Sequence, residues 1–203
     1  MQILIGTKNR DKFSEIREIL SDLDLELVSA ADLDQLPDVI EDRDTITGNA
    51  IKKAEEMAIR SAMYVLADDT GLFVEALSGA PGVYSARYAG EDCSYRDNRV
   101  KLLREMSGMQ ERNASFRTVV ALANSDGEVI ATAEGIVEGE IILEERGDNG
   151  FGYDSIFLCH ETGKTFAEMG SEEKHKISHR GRAFRKMLTE IIKIIQDTGG
   201  IDG

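Results

Sequence analysis

A short apolar run is followed directly by two carboxylates in the segment Tyr64-Val65-Leu66-Ala67-Asp68-Asp69-Thr70-Gly71. The four leading residues predict a buried strand that ends at Asp68. Because the ends of strands commonly deliver catalytic groups in α/β folds, both carboxylates are candidate site residues. Neighbouring side chains alternate across a strand, so we expect one carboxylate to act in the site while the other caps the turn. Simple turn capping is the alternative.

Strands and helices alternate on both sides of this segment. Strands are predicted at residues 3–5, 25–28, 64–67, 116–123, 128–137 and 155–158. Helices are predicted from the turn at residues 6–9, from near residue 47, over residues 95–106, and at the end of the chain to near residue 197. Asn124-Ser125-Asp126-Gly127 between two β-rich runs predicts a hairpin. Alternating elements followed by a hairpin predict an α/β fold with a mixed sheet.

The composition limits the class of protein. The chain has 203 residues, with 24 Lys and Arg against 38 Asp and Glu, which gives a formal net charge of −14. This charge repels phosphate backbones, so we expect no nucleic acid partner. No apolar run approaches about 18 residues, so we expect no membrane partner and a cytoplasmic location. The length suits a single domain over residues 1–203.

Cysteine and three partial motifs carry no function. Cys93 and Cys159 lie far apart and are expected to be reduced thiols. A P-loop ending at Gly163-Lys164-Thr165 would need glycine where Leu158 stands. A dinucleotide motif beginning at Gly150 would need glycine where Ser155 stands. A zinc-protease motif beginning at His160 would need a second histidine where Lys164 stands.

The first helix start is a candidate anion site. Thr7, Lys8, Asn9, Arg10, Asp11 and Lys12 follow the first predicted strand. Free backbone N–H groups and the helix dipole favour an anion at such a position. A cap at Asn9 with solvated lysines is the alternative reading.

Two later segments suit recognition of a base. Phe151, Gly152, Tyr153 and Asp154 place an aromatic ring and a carboxylate in a flexible loop, which suits stacking on a base and reading its edge. Burial of the aromatic residues in the core is the alternative. Ser178-His179-Arg180-Gly181 opens the last helix, with Ser178 as a candidate N-cap. Capping alone would not require the His-Arg pair.

Several long motifs occur in a fixed order along the chain. They are the segments 68–72, 79–90, 150–154 and 178–180, together with Asn9, Lys12, Glu41, Asn49-Ala50 and Lys53. In these motifs the chain closely resembles the inosine triphosphate pyrophosphatase family. The resemblance covers nearly the whole chain. It implies an α/β fold with a mixed, elongated and bent β-sheet, flanking helices and two lobes around a central cleft.

The same resemblance implies an activity and residue roles. The activity is hydrolysis of ITP, dITP and XTP to the nucleoside monophosphate and pyrophosphate, with Mg²⁺, in a homodimer. Asp69 resembles the proton acceptor, Asp69 and Glu41 the metal residues, and Lys53 a residue beside the reacting phosphates. The family's substrate contacts fall on residues 7–12, Thr70, 151–154, Lys174, His179 and Arg180.

Base selection follows from hydrogen-bond chemistry. Hypoxanthine and xanthine carry an acceptor at position 6 where adenine carries a donor. Donors such as Arg180, His179 and the loop amides would therefore bind hypoxanthine and xanthine and reject adenine. Two other functions stay open: a Maf-like (septum-inhibitor-like) pyrophosphatase acting on modified pyrimidine nucleotides, and a non-catalytic nucleotide-binding regulator.

Overall fold

A computed structural model describes residues 1–33 and 36–199, with side chains described through residue 196. The strands are β1 Gln2–Ile5, β2 Glu26–Ser29, β3 Tyr64–Val74, β4 Pro81–Gly82, β5 Asn113–Ala123, β6 Val129–Ile141 and β7 Phe157–Cys159. The helices are α1 Arg10–Ile19, α2 Ile46–Ser61, α3 Tyr95–Glu105, α4 Ser171–Ile177 and α5 His179–Gly199. Within the described residues no helix is long and apolar enough to cross a membrane.

The sheet is mixed, which confirms the predicted fold class. Its strand order is β2-β1-β3-β5-β6-β7, and β4 pairs with β3. β1 runs parallel to both β2 and β3, whereas the β3–β4 and β6–β7 pairs are antiparallel. The predicted hairpin is confirmed, since β5 and β6 are neighbours joined through the Asn124–Gly127 turn. Gly127 has a φ of 87°, a left-handed conformation that glycine adopts without strain.

The chain divides into two compact units. Unit 1 comprises residues 1–69, residues 118–135 and the chain from Arg180 onward; unit 2 comprises residues 70–117 and 136–179. The core of unit 1 is an apolar cluster built from β1, β3, β5, α1 and α5, and includes Ile5, Leu66 and Phe184. The core of unit 2 includes Leu102, Phe116 and Phe157. The single domain over residues 1–203 stays a prediction, and residues 200–203 lie outside the described residues.

The predicted end of β3 is wrong. The strand does not stop at Asp68 but continues to Val74, where Leu72 and Phe73 pair with β4. Asp68 and Asp69 therefore lie inside a strand, and both are buried. Charged residues are tolerated there because buried cations of unit 1 neutralise them. The last helix also extends two residues beyond the predicted end near residue 197.

Candidate active site

The start of α1 gathers the six predicted anion-site residues. Asn9 is the N-cap, and its side-chain oxygen accepts hydrogen bonds from the backbone N–H groups of Asp11 at 2.9 Å and Lys12 at 3.1 Å. Thr7 is buried, and its hydroxyl accepts the N–H of Asn9 at 3.2 Å. Both predicted features of this segment, the cap and the group of cations at a helix start, are thus present together. Occupation by an anion stays a prediction.

The cations of this segment have different surroundings. The ammonium of Lys8 lies 2.8 Å from Asp38 at the surface. The ammonium of Lys12 lies 3.4 Å from the fully buried Asp68 carboxylate. Arg10 is exposed. Lys12 is therefore the cation of this helix that the structure directs toward β3.

A buried lysine of α2 lies among acidic groups. The Lys53 ammonium donates to the backbone carbonyl of Asp68 at 2.6 Å and lies 2.5 Å from the Glu41 carboxylate. The Asp69 carboxylate is 3.9 Å away. Burial opposes the charge of Lys53, but the acidic groups outweigh it, so the pKa of Lys53 is raised. Lys53 therefore stays protonated in this site.

Asp69 is the carboxylate that Lys53 and Asn49 face. Burial is the largest influence on Asp69 and raises its pKa, against the opposing effects of Lys53 and Lys12. The side-chain amide of Asn49 donates to Asp69 Oδ2 at 3.1 Å. A carboxylate with a raised pKa, held by one amide and one cation, is suited to accept a proton.

Asn49, which belongs to one of the motifs quoted above without a predicted role, is a further candidate site residue. It is 1% exposed, and its oxygen accepts the backbone N–H of Arg43 at 3.0 Å. One amide thus joins Asp69 to the segment that carries Glu41. The sequence spacing indicates that Asn49 lies beside Lys53, because the two residues are four positions apart on one face of α2.

Asp68 has a different set of partners. Its Oδ2 accepts from Arg180 Nε at 3.3 Å and Nη2 at 3.2 Å, and Lys12 is also close. Burial opposes its charge, but Lys12, Arg180 and Lys53 together hold the pKa of Asp68 well below its usual range. The prediction that the second carboxylate caps a turn is therefore wrong. Asp68 is the acidic partner of the buried Arg180 and the half-buried Lys12.

Arg180 lies within unit 1 as part of this network. It is 2% exposed, and besides Asp68 it donates to Glu15 of α1. Glu15 was not among the predicted residues; its signal is its position one turn after Lys12 on α1. A contact of Arg180 with the base stays a prediction.

Asp69 and Glu41 form a candidate metal pair. Both carboxylates lie within 4 Å of the Lys53 ammonium, at 3.9 and 2.5 Å. The described residues include no group of three or more His, Cys, Asp or Glu side chains arranged to hold a metal. Mg²⁺ is commonly bound by one or two carboxylates together with substrate phosphates and water. The donor set present here fits that kind of site.

The glycine-rich loop of unit 2 brings together three of the predicted base contacts. The Phe151 N–H donates to Asp154 Oδ2 at 2.8 Å, and the Lys174 ammonium donates to the same oxygen at 2.7 Å. Lys174 lies 5.2 Å from the centre of the Phe151 ring. The ring is half-buried, whereas Asp154 and Lys174 are buried. Asp154 therefore links the loop to α4.

Two further predicted contacts are core residues of unit 2. The Tyr153 side chain is 5% exposed, and its hydroxyl donates to the Ser85 carbonyl at 2.9 Å. The His179 ring is 4% exposed and stacks on Phe116 with centroids 4.7 Å apart. The aromatic-core alternative thus describes the Tyr153 side chain. Thr70, the first residue of unit 2, is half-buried on β3.

A pocket of about 230 Å³ opens beside this loop. Its wall combines backbone of the loop with one cation and three carboxylates. The lining residues are Arg99, Glu145, Gly147, Asp148, Asn149, Gly150, Phe151, Gly152, Asp154 and Ser155.

Unit 1 holds a cationic helix start and a lysine between carboxylates, and unit 2 holds an aromatic ring on a glycine-rich loop. A cationic helix start suits a phosphate group and an aromatic ring suits a base, which are the parts of a nucleotide. The model of the Ham1 family matches residues 3–190, and the chain belongs to that family.

Relatives and solved structures agree with this membership. The chain is 44% identical to the dITP/XTP pyrophosphatase of Desulfotalea psychrophila over 96% of this chain and 86% of that protein. It is also 44% identical to the dITP/XTP pyrophosphatase of Thermoanaerobacter sp. strain X514, over 97% of this chain and 100% of that protein. A HAM1 protein structure from Coxiella burnetii matches with a TM-score of 0.86 and 36% identity, over 95% of this chain and 99% of that one.

Proposed function

We propose that this chain is a dITP/XTP pyrophosphatase that converts these nucleotides to the monophosphate and pyrophosphate. The observation that carries the proposal is the buried Lys53 ammonium, which lies 2.5 Å from Glu41 and 3.9 Å from Asp69. Full-length similarity to proteins of this activity supports it. ITP shares the base of dITP and is a substrate under the same proposal.

Asp69 accepts the proton in the proposed reaction. A water oxygen attacks the α-phosphorus, the bond from that phosphorus to the bridging oxygen breaks, and pyrophosphate leaves with the bond electrons. The proton of the water passes to the Asp69 carboxylate, which the Asn49 amide holds through a hydrogen bond of 3.1 Å. Lys53 and Lys12 place positive charge beside the phosphates.

Asp69 and Glu41 are the residues that would hold Mg²⁺. When bound, the ion neutralises charge on the phosphate oxygens. Asn49 keeps Asp69 in place, and the Arg43 N–H that it accepts keeps the Glu41 segment beside it. The hydrogen bonds of Asn49 therefore hold in place the two carboxylates that would bind the ion.

The glycine-rich loop recognises the base in the proposed reaction. The half-buried Phe151 ring offers a stacking face, and Lys174 offers a donor beside it. Lys174 keeps its hydrogen bond to Asp154. A 6-oxo group accepts a further N–H of the same ammonium, whereas the 6-amino group of adenine offers that N–H no acceptor, at a cost of about 1–3 kcal/mol. Several such mismatches would together produce the selectivity. A homodimer and a cytoplasmic location complete the proposal.

The test is to incubate the purified protein with XTP, dITP, ITP, ATP and GTP in separate reactions, with Mg²⁺ or with EDTA. Pyrophosphate and orthophosphate are assayed in parallel. We expect metal-dependent pyrophosphate from the deaminated purine nucleotides. Orthophosphate as the first product would overturn the mechanism. Absence of turnover on every purine nucleotide would favour modified pyrimidine substrates or a binding role.

Neighbouring lysines provide a matched pair of variants. Lys53→Met removes the buried cation, whereas Lys52→Met removes the adjacent lysine, which pairs with Asp42 at 2.7 Å at the surface. We expect the first change to abolish most turnover and the second to leave it near the wild-type rate. Equal activity of the two variants would contradict the role of Lys53. Near-normal turnover of Asp69→Asn would contradict the role of Asp69.

A further inference from the structure

The glycine-rich loop of residues 147–154, which we call the base loop, has a backbone that needs support from neighbouring elements. Gly147, Gly150 and Gly152 have φ angles of 82°, 72° and 63°, the left-handed region that glycine enters freely. Three glycines within six residues also give the unbound loop high conformational entropy. Its shape must therefore be set by contacts with neighbouring elements.

One side of the loop is held by the segment that precedes α4. The backbone N–H of Asn149 donates to the Ala167 carbonyl at 3.1 Å, and its side-chain amide donates to the Met169 carbonyl at 3.0 Å. A Cβ on Gly147 would lie 2.3 Å from the Ala167 carbonyl, so this part of the loop packs directly on backbone. These contacts position residues 147–149, at the beginning of the loop.

The other side of the loop is held by α3. Arg99 Nη1 donates to the Gly152 carbonyl at 2.9 Å. Arg99 Nε lies 3.1 Å from Glu145 Oε2, and the Ser155 hydroxyl donates to that same oxygen at 2.8 Å. One guanidinium thus joins the tip of the loop to the residues that flank it. A planar fork suits this task because it reaches a carbonyl and a carboxylate together.

A second contact from α3 reaches the adjacent residue. Tyr95 lies one helical turn before Arg99, and its ring centre is 5.6 Å from that of Phe151. The Arg99 side chain is 18% exposed, so the solvent screens its hydrogen bond to Gly152 and its ion pair with Glu145 only in part. The first turns of α3 therefore support both the ring of Phe151 and the carbonyl of the next residue.

We infer that Arg99 is a positioning residue for recognition of the base, a role that rests on the proposed function. It does not need to touch the nucleotide. By holding the Gly152 carbonyl it sets the position of Phe151 and the turn that brings Asp154 to Lys174. Loss of Arg99 therefore weakens binding of the base while the groups of unit 1 that act on the phosphates stay unchanged.

The test compares Arg99→Gln, Arg99→Lys and the matched control Arg104→Gln, which alters an exposed arginine of the same helix. Steady-state kinetics with XTP and ITP give KM and kcat for each variant. We expect Arg99→Gln to raise KM about tenfold, the effect of one charge-assisted hydrogen bond, with kcat changed less than about twofold. Arg99→Lys should recover part of the affinity, and Arg104→Gln should match the wild type.

Limited trypsin digestion adds a readout independent of turnover. Cleavage after Arg146, at the start of the loop, should be faster in Arg99→Gln than in the wild type or Arg104→Gln. Unchanged KM and unchanged cleavage in Arg99→Gln would overturn the inference, as would a fall in kcat with KM unchanged. If the wild type fails to distinguish XTP from ATP, the proposed function fails. The cleavage rate then still tests whether Arg99 holds the loop.

Discussion

Replacing Arg180 by methionine removes the cation that faces the buried Asp68 carboxylate. Both residues are at most 2% exposed, and two hydrogen bonds of 3.2 and 3.3 Å join them. Breaking a buried ion pair from one side costs about 3–5 kcal/mol, because the remaining charge stays buried. Lys12 remains 3.4 Å from Asp68 and offsets part of the loss. We therefore expect the free energy of unfolding to fall by about 3 kcal/mol.

Urea and thermal unfolding measure this loss. For a chain of this size about 3 kcal/mol corresponds to a fall in Tm of about 6–12 °C. Arg185→Met, an exposed position on the same helix, is the control and should change stability by less than about 0.5 kcal/mol. The double variant Arg180→Met/Asp68→Asn removes both charges and should recover more than half of the loss. A loss below about 1 kcal/mol for Arg180→Met, or a double variant no more stable than the single one, would refute this reasoning.

The same variant decides between two roles of Arg180. If Arg180 donates to the 6-oxo group, as predicted from the sequence, its loss narrows the preference for ITP over ATP in kcat/KM. If it holds Asp68 and Glu15 alone, stability falls while that ratio stays constant among folded molecules. Measuring the ratio below the unfolding temperature separates the two roles.

Two further replacements test Asn49 in unit 1 and Lys174 in unit 2. Asn49→Leu removes the donor to Asp69 and should lower kcat/KM at least about tenfold, with about 2 kcal/mol lost from the free energy of unfolding. Steady-state kinetics measure the first effect and urea unfolding measures the second. Wild-type kinetics of this variant would contradict the role of Asn49. Lys174→Met leaves the buried Asp154 carboxylate without its cation 2.7 Å away, so KM for XTP should rise more than kcat falls. A fall confined to kcat would instead place Lys174 in the chemical step.

Local patterns explain why much of the fold could be predicted. The helix starting after Asn9 and the hairpin around Gly127 depend on residues that are close in sequence, so spacing and turn chemistry reveal them. The continuation of β3 through Asp68 could not be found in this way. A buried carboxylate inside this strand depends on Arg180, which is 112 positions away in the sequence. No local pattern indicates a buried partner that far away.

The candidate site shows the same division. The grouping of Glu41, Lys53 and Asp69 agrees with the family resemblance, because motif order carries information about contacts that spacing lacks. Asn49 was visible as part of a motif, but its role required the two hydrogen bonds that the fold creates. The support of the base loop by Arg99 likewise depends on a contact across 53 positions.

The fate of the water oxygen tests attack at the α-phosphorus. XTP is hydrolysed to completion in water enriched in oxygen-18, and the products are analysed by mass spectrometry. Attack at the α-phosphorus places the label in the xanthosine monophosphate and leaves the pyrophosphate unlabelled. Label in pyrophosphate, or release of labelled orthophosphate as the first product, would contradict attack at the α-phosphorus.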